Sequence, residues 1–415
     1  MIYTPRDYQT AAIDASLDYL QNPKLKGRHG LVIQPTGAGK SLVIANVATR
    51  LDGPCVVFQP SREILQQNLA KLADYGYRAS VFSASMGRKE IGSITLATIG
   101  SVIRHAEAFA DVPYVLIDEC HLVSSKAGMY ADFVEALNPS VRIIGLTATP
   151  FRLASNSFGS ELRFLTRTRP RIFRDVVHVT QISEVRAGGY WAPIAYREVE
   201  AIERTKLKLN STGAEYSDAS VQQHLLEVGF VGRLQVEVER ALDEGRKNVL
   251  VFTHSINESE RLAKVIPGTA IVTSETPDDE RSRIGQDYRR GKIRVVTNVG
   301  VYGIGFDYPE LECVILGRPS ISLALFYQQA GRVVRPHPQK PLAHIVDMVG
   351  LVKQFGRIED LTVARGGSSG EQWVIKSGTK KLTNCYFHER DGIDPAIAIK
   401  GIKKRRYWSQ RARRR

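Results

Sequence analysis

The sequence predicts an α/β protein with two similar lobes, each a mostly parallel sheet with helices on both faces, and a short basic C-terminal segment. Three observations carry this expectation. Short apolar segments alternate with helix-like ones over the first 150 residues. The alternation lapses after residue 150 and returns over 231–362. A glycine-rich loop, QPTGAGKS at 34–41, sits between a strand and a helix. Strands alternating with helices argue for parallel sheets wound on both faces.

The elements follow in order. GLVIQP is an apolar run closed by Pro35, SLVIANVATRL reads as a helix, and PCVVFQP is the next strand. REILQQNLAKLADYG is an amphipathic helix with Leu65, Leu69 and Leu72 at helical spacing and Gly76 at its end. SITLAT, YVLID and RIIGLTA are further short strands. Residues 151–195 are rich in arginine (Arg163, Arg167, Arg169, Arg171, Arg174) and are expected to end in a helix over RDVVHVTQISEVRA, closed by Gly188 and Gly189. Residues 196–230 are polar and poorly periodic, which suits a connector. NVLVFT, TAIVT, IRVVTN, CVILG and LAHIVDMV are the strands of the second lobe. Its helix SINESERLAKVI opens with Ser255 and Glu258 at capping-box spacing. RGGSSGEQ at 365–372 reads as a flexible joint. The expected division is therefore 1–195, connector 196–230, 231–362, and a basic segment 363–415.

Composition narrows the class. Apolar residues make up 43 %, enough for a core in each lobe. No uncharged apolar run of about 18 residues occurs, so no membrane span is expected. The N-terminus lacks the basic start and apolar stretch of a secretory signal. The four cysteines, Cys55, Cys120, Cys313 and Cys385, are widely spaced, which fits a reducing cytoplasm and not a disulfide scaffold. The net charge is +14, of which residues 401–415, GIKKRRYWSQRARRR, carry +8. Such a tail and a mildly basic body suit a polyanionic partner, although a solubilising end explains the tail as well.

Three constellations carry chemistry. In QPTGAGKS, glycines at 37 and 39 let the backbone turn tightly and aim N–H groups inward, and the following helix adds its positive end. Lys40 would reach the β- and γ-phosphates, and the Ser41 hydroxyl would ligate Mg²⁺. Gln34 stands where the strict pattern has glycine. In IDECHL at 117–122, four side chains with metal-ligating atoms are adjacent. Strand alternation would point Asp118 and Glu119 to opposite faces, which argues against one cage and for a division of labour. One carboxylate then faces Mg²⁺ and the other an attacking water. In YQQAGRVVRPHP at 327–338, Arg332 and Arg335 fall on one face if the segment is helical. Arginines alone read as surface charge; paired with a phosphate loop, they read as fingers for a phosphoryl-transfer transition state.

The ordered set RDYQ, PTGAGKS, QPSREI, TIGS, DECH, TATP, VFTHS, TNVGVYGIGFDYPE and QQAGRVVR resembles superfamily 2 helicases of the DEAD/DEAH-box type, above all RadD-like DNA helicases and related phage or restriction-type helicases. The resemblance spans about residues 3–355. It implies two RecA-like lobes and an ATP-dependent, Mg²⁺-dependent helicase or translocase in which the nucleotide binds between the lobes. It implies that Arg6 and Gln9 meet the adenine, and that Thr36, Gly37, Ala38, Gly39, Lys40 and Ser41 cradle the phosphates. Asp118 would hold Mg²⁺ with Ser41, and Glu119 would be the general base. Gln328, Arg332 and Arg335 would act at the γ-phosphate, and Asp307 near the ribose. His121, Thr147 and Thr149 would couple the site to the second lobe. Ser61, Arg62, Thr98, Gly100, His254, Ser255, Thr297 and Asn298 would touch the nucleic-acid backbone. The partner implied is DNA rather than RNA, with an accessory protein open. The expected setting is a monomer in the cytoplasm of a bacterium or a phage-infected cell.

Two departures qualify the resemblance. Val333 replaces the usual glycine after the first arginine. RadD-like proteins often carry a C-terminal zinc module, whereas only Cys385 and His388 form a half-site here, so no zinc is expected. A remodelling ATPase without unwinding, or an RNA helicase, would carry the same motifs. Tyr407 and Trp408 in the tail would stack on bases or be incidental.

Overall fold

The structure, a computed structural model, describes residues 4–123, 128–156, 159–211, 213, 215–300, 308–366 and 372–385. They fall into two compact units. The first draws on residues up to 152, on 163–185 and on 363–374; the second draws on 153–162, 186–362 and residues from 375 on.

The first unit is built on one large sheet. Its strands are β1 (His29–Ile33), β2 (Cys55–Phe58), β3 (Ser80–Ser83), β4 (Arg88–Lys89), β5 (Ile94–Ala97), β6 (Tyr114–Asp118) and β7 (Arg142–Thr147). β8 (Phe151–Asn156) and β9 (Gly159–Phe164) form a separate two-stranded sheet, most of it in the second unit, and β10 (Asp175–Val179) returns to the large one. The order is β10-β1-β7-β6-β2-β5-β3-β4. Every pairing in it is parallel except β3 with β4. The helices are α1 (Asp7–Gln21), α2 (Lys40–Arg50), α3 (Arg62–Asp74), α4 (Ile99–Val102), α5 (Met129–Ala136) and α6 (Ile182–Ala187). β2, β6 and β7 are buried along their whole length. Near-continuous apolar strands are what burial on both faces demands, because no face is left for water.

The second unit repeats the plan. α7 (Asp218–Glu227) and α8 (Phe230–Asp243) follow β11 (Ile194–Glu198). Then come β12 (Val249–Phe252), α9 (Ile256–Val265), β13 (Ala270–Thr273), α10 (Asp278–Arg289) and β14 (Val295–Val299). β15 (Cys313–Leu316), α11 (Leu323–Ala330), β16 (Ala343–Asp347) and α12 (Leu351–Phe355) complete it. The strand order is β11-β16-β15-β12-β14-β13, parallel throughout.

The α/β reading with parallel sheets therefore holds, and one local expectation does not. RDVVHVTQISEVRA is not one helix: Asp175–Val179 forms β10, an edge strand parallel to β1, and only Ile182–Ala187 is helical. Three β-branched valines in five residues favour the extended chain, and the open edge of β1 supplies the hydrogen bonds. The polar stretch after residue 195 contains regular elements. β11 pairs with β16, and α7 spans ten residues. Arg204 anchors this stretch within the second unit by donating to the Val349, Gly350 and Ser320 carbonyls and the Tyr216 hydroxyl.

Parallel strands start at the same edge and end at the same edge. Residues just after β1, β2, β5, β6 and β7 therefore collect along one rim of the first sheet. Ligands of open parallel sheets bind at this carboxyl rim.

Candidate nucleotide site

The rim begins with the loop after β1. Gly37 and Gly39 have φ of +78° and +83°, a region that L side chains rarely adopt. Gly39 is fixed for a second reason: a Cβ there would lie 2.4 Å from the Gln9 side-chain nitrogen. That approach exists because the Gln9 Nε2 donates to the Ala38 carbonyl at 2.7 Å, and the Tyr8 hydroxyl donates to the same carbonyl at 3.1 Å. The Gln9 Oε1 in turn accepts from the Arg6 backbone N–H at 2.9 Å. α1 thus clamps the loop by its backbone. Gly39 caps α2, whose first turn contains Lys40 and Ser41. The first N–H groups of a helix have no partner within it, and they carry the positive end of its dipole.

The second strand end supplies the acids. β6 stops at Asp118, and Glu119 has left-handed backbone angles, φ +50° and ψ +47°. The expected alternation of Asp118 and Glu119 along a strand is thus replaced by a turn at Glu119. A non-glycine residue in this region is uncommon and strained, and such strain concentrates at functional sites. The turn brings the Glu119 Oε1 to 2.6 Å from the Lys40 Nζ, and its Oε2 to 3.2 Å from the His121 Nδ1. The His121 Nδ1 also lies 2.9 Å from the Thr147 hydroxyl, which accepts from the Thr149 N–H at 3.0 Å. Glu119, His121, Thr147 and Thr149 form one continuous polar chain from β6 to the loop after β7.

The two carboxyls differ in environment. Burial pushes Asp118 above the usual carboxylate range, the Glu119 charge adds to this, and Lys40 opposes it. For Glu119, burial also acts upward, but Lys40 and His121 outweigh it and hold the carboxyl well below the usual range. Cys120 plays no part in this. Its thiol is fully buried, burial raises it far above the ordinary range, and it packs where a Cβ on Gly145 would touch it. Among the described residues no cluster of three or more His, Cys, Asp or Glu has metal-binding geometry.

Ser41 and Asp118 are the oxygen donors expected for magnesium. Hard cations of this kind take a few oxygen ligands and keep water and phosphate for the rest. Ser41 and Asp118 offer one hydroxyl and one carboxylate, and both are hydrogen-bonded to Asn68. The set fits the ion.

Ser61 caps α3 by accepting from the Ile64 N–H, and Ser255 caps α9 by accepting from the Glu258 N–H. Both stand just after a central strand of their own sheet. Arg62 and Gly100 are exposed, and the Thr98 hydroxyl lies 2.9 Å from that of Ser101. The His254 ring is 3.5 Å from the Asp218 carboxylate. Thr297 and Asn298 lie on β14 and are buried. Gln328 is on α11, but that helix ends at Ala330 and is capped by Gly331. Arg332 and Arg335 follow it in a non-helical turn, so helical spacing does not set their directions. Val333 between them is buried, and its carbonyl accepts from the buried Lys340 ammonium at 2.9 Å. Asp307, His388, Tyr407 and Trp408 lie outside the described residues.

Sequence reasoning missed Asn68 and Lys340. A signal existed for the first: Asn68 stands in the apolar stripe of its helix, between Leu65 and Leu72.

Two parallel sheets, a clamped phosphate loop and an acid-bearing strand end define a RecA-like, P-loop nucleotide-binding architecture. Residues 2–152 match the family described as "Type III restriction enzyme, res subunit", and residues 233–337 match "Helicase conserved C-terminal domain". The chain belongs to the superfamily 2 helicases, in the part of that superfamily related to phage and restriction-type enzymes. It is 26 % identical over 326 residues to a "51.5 kDa protein" of a Lactococcus phage, covering 77 % of this chain and 65 % of that one. It is 25 % identical to the "Putative ATP-dependent helicase IRC3" of Saccharomyces cerevisiae, covering 83 % and 51 %. It is 24 % identical to the "DNA 3'-5' translocase XPB2" of Sulfurisphaera tokodaii, covering 81 % and 80 %. The chain thus spans about half to two thirds of the first two of these relatives. Among solved structures, a fragment of a putative HsdR subunit of a type I restriction enzyme from Vibrio vulnificus shares the fold with a TM-score of 0.61 at 19 % identity, covering 85 % of this chain and 65 % of that one. Dbp5 of S. cerevisiae, bound to RNA and ADP BeF3, does so with a TM-score of 0.56 at 16 % identity, covering 83 % and 84 %.

Proposed function

We propose that the chain is a motor that couples ATP hydrolysis to movement along, or unwinding of, DNA. The observation that carries this is the Lys40–Glu119 ion pair, which joins the phosphate loop to the strained acid turn. In this pair each group balances the charge of the other. The phosphates of ATP compete for Lys40, and the base is released as the substrate arrives.

The chemistry follows from the residues. The phosphate loop and the N–H groups of α2 hold the β- and γ-phosphates, with Lys40 neutralising them. Ser41 and Asp118 would hold the magnesium, which supplies charge neutralisation at the phosphate oxygens. Glu119 orients a water and accepts its proton as the water oxygen bonds to the γ-phosphorus. The bond from that phosphorus to the bridging oxygen breaks, giving ADP and inorganic phosphate. Gln328, Arg332 and Arg335 are proposed to act on the transferring group, as arginine fingers do. His121 and Thr147 relay the state of Glu119 to Thr149. Ser61, Arg62, Thr98, Gly100, His254 and Ser255 are proposed to hold the DNA backbone without reading its sequence.

DNA is preferred to RNA because relatives named for DNA cover most of this chain. ATPase and strand-displacement assays on single-stranded, duplex and forked DNA and on RNA test the reading. The expected result is hydrolysis stimulated by DNA. Stimulation by RNA alone overturns the choice of polymer. Strong hydrolysis with no fork opened identifies a remodelling ATPase instead.

A further inference from the structure

Asn68 is a buried polar group beside the nucleotide site, in contact with Ser41 and Asp118. It lies on α3 and is 6 % exposed. The buried stripe of that helix reads Leu65, Asn68, Leu72, while Leu69 is only partly buried. A primary amide in an apolar stripe is costly unless every polar atom finds a partner. Asn68 finds three. Its Oδ1 accepts from the Ser41 hydroxyl at 2.8 Å. Its Nδ2 donates to the Gln59 Oε1 at 2.7 Å and reaches the Asp118 Oδ2 at 3.5 Å, the outer limit of such a bond.

The orientation of this amide is determined by its neighbours. The Asp118 carboxylate and the Gln59 carbonyl can only accept, so the Asn68 NH₂ group must face them. The Asn68 oxygen is thereby turned to Ser41, whose hydroxyl has one proton and two lone pairs. Its proton is committed to Asn68, and both lone pairs are left for a cation. One side chain therefore fixes the Ser41 hydroxyl and also touches the Asp118 carboxylate, whose other oxygen accepts from the Glu119 N–H at 3.0 Å. Groups that hold a metal's ligands in place commonly change its affinity 10- to 100-fold.

We propose that Asn68 is a positioning residue for magnesium, aiming the Ser41 hydroxyl and the Asp118 carboxylate at the ion that accompanies the nucleotide. This inference rests on the nucleotide-site reading given above. It separates from that reading in a binding measurement. A fluorescent ATP analogue is titrated into the full chain with saturating magnesium and with chelator, for the wild type, Asn68→Ala, Asn68→Ser and Lys40→Ala. The affinity gained on adding magnesium is expected to fall roughly 10-fold or more in Asn68→Ala. Affinity in chelator should stay at the wild-type value. Asn68→Ser, which can still accept from Ser41, is expected to recover part of the gain and serves if the alanine variant does not fold. In DNA-stimulated hydrolysis, Asn68→Ala should need more magnesium for its half-maximal rate and approach the wild-type kcat in excess magnesium. A wild-type magnesium gain in folded Asn68→Ala overturns the proposal, as does an equal loss with and without the metal. If Lys40→Ala binds nucleotide like the wild type, the nucleotide-site reading itself fails. If Lys40→Ala loses binding while Asn68→Ala keeps its magnesium gain, only the role of Asn68 fails.

Discussion

The Lys40 ammonium and the Glu119 carboxylate meet at 2.6 Å, although 78 residues lie between them in the chain. The pair unites the two ends of the first sheet's chemistry, one from the loop after β1 and one from the turn after β6. If Glu119 is the base, Glu119→Gln keeps the shape of the site and removes the proton acceptor. The DNA-stimulated ATPase rate should fall about 10²- to 10⁴-fold while ATP binding persists. A wild-type rate in this variant means that another group takes the proton.

His121 touches both Glu119 and Thr147. His121→Ala is expected to leave nucleotide affinity within a few-fold of wild type but to reduce strand displacement more than ATP hydrolysis. The ratio of strands displaced to ATP consumed is the measurement. An unchanged ratio removes the coupling role.

Gly39→Ala combines a left-handed backbone angle with a clash against Gln9. An alanine in this conformation costs on the order of 1–2 kcal/mol before the clash is counted. The Gln9 clamp on the Ala38 carbonyl must then move. Both a lower melting temperature and a loss of nucleotide binding are expected. Retention of tight binding would show that the clamp is dispensable.

Lys340 is buried, and its ammonium donates to the Pro309 and Val333 carbonyls. Burial, aided by the Arg335 charge, lowers it from 10.5 to about 8. Between pH 8 and 10.5 the unfolded chain therefore holds a proton that the folded chain has released, and stability from this group rises with pH across that window. Below pH 8 both states are protonated and the contribution is flat. Lys340→Met should abolish this rise, seen as a difference in urea unfolding between wild type and variant at pH 7.5 and pH 9.5. It should also cost about 1–3 kcal/mol at neutral pH, because two buried carbonyls lose their donor. A parallel pH dependence in both proteins rules out the shift.

The tail at 401–415 carries eight Lys or Arg and no acid. Removing it is expected to weaken DNA binding and to flatten the dependence of log affinity on log salt. Filter binding or anisotropy at several salt concentrations measures this. Equal slopes with and without the tail make it a bystander.

Much of the protein was legible from local signals. β2, β6 and β7 are short apolar runs between turn residues, and α9 begins at its capping serine, so chain-local physics was enough. The failures are equally physical. Asp175–Val179 shares its segment with a helix, and the choice of strand depended on the unpaired edge of β1, which is distant in sequence. Arg332 and Arg335 were spaced as on a helix, but α11 stops at Ala330. The alternation expected at Asp118 and Glu119 was broken by a left-handed turn that no composition rule announces.

The sequence alone determined the chemistry on offer: a glycine-rich loop with Lys40 and Ser41, an acid pair at 118 and 119, and two lobes of alternating strands and helices. Those features are local, and residue type and spacing suffice to read them. Only the tertiary structure decided which of them meet. Parallel pairing brought the ends of β1, β2, β6 and β7 to one rim. It placed Lys40 on Glu119, His121 on Thr147, and Asn68 between Ser41 and Asp118. Contacts across tens of residues depend on strand order and register, and neither is written in any single stretch of chain.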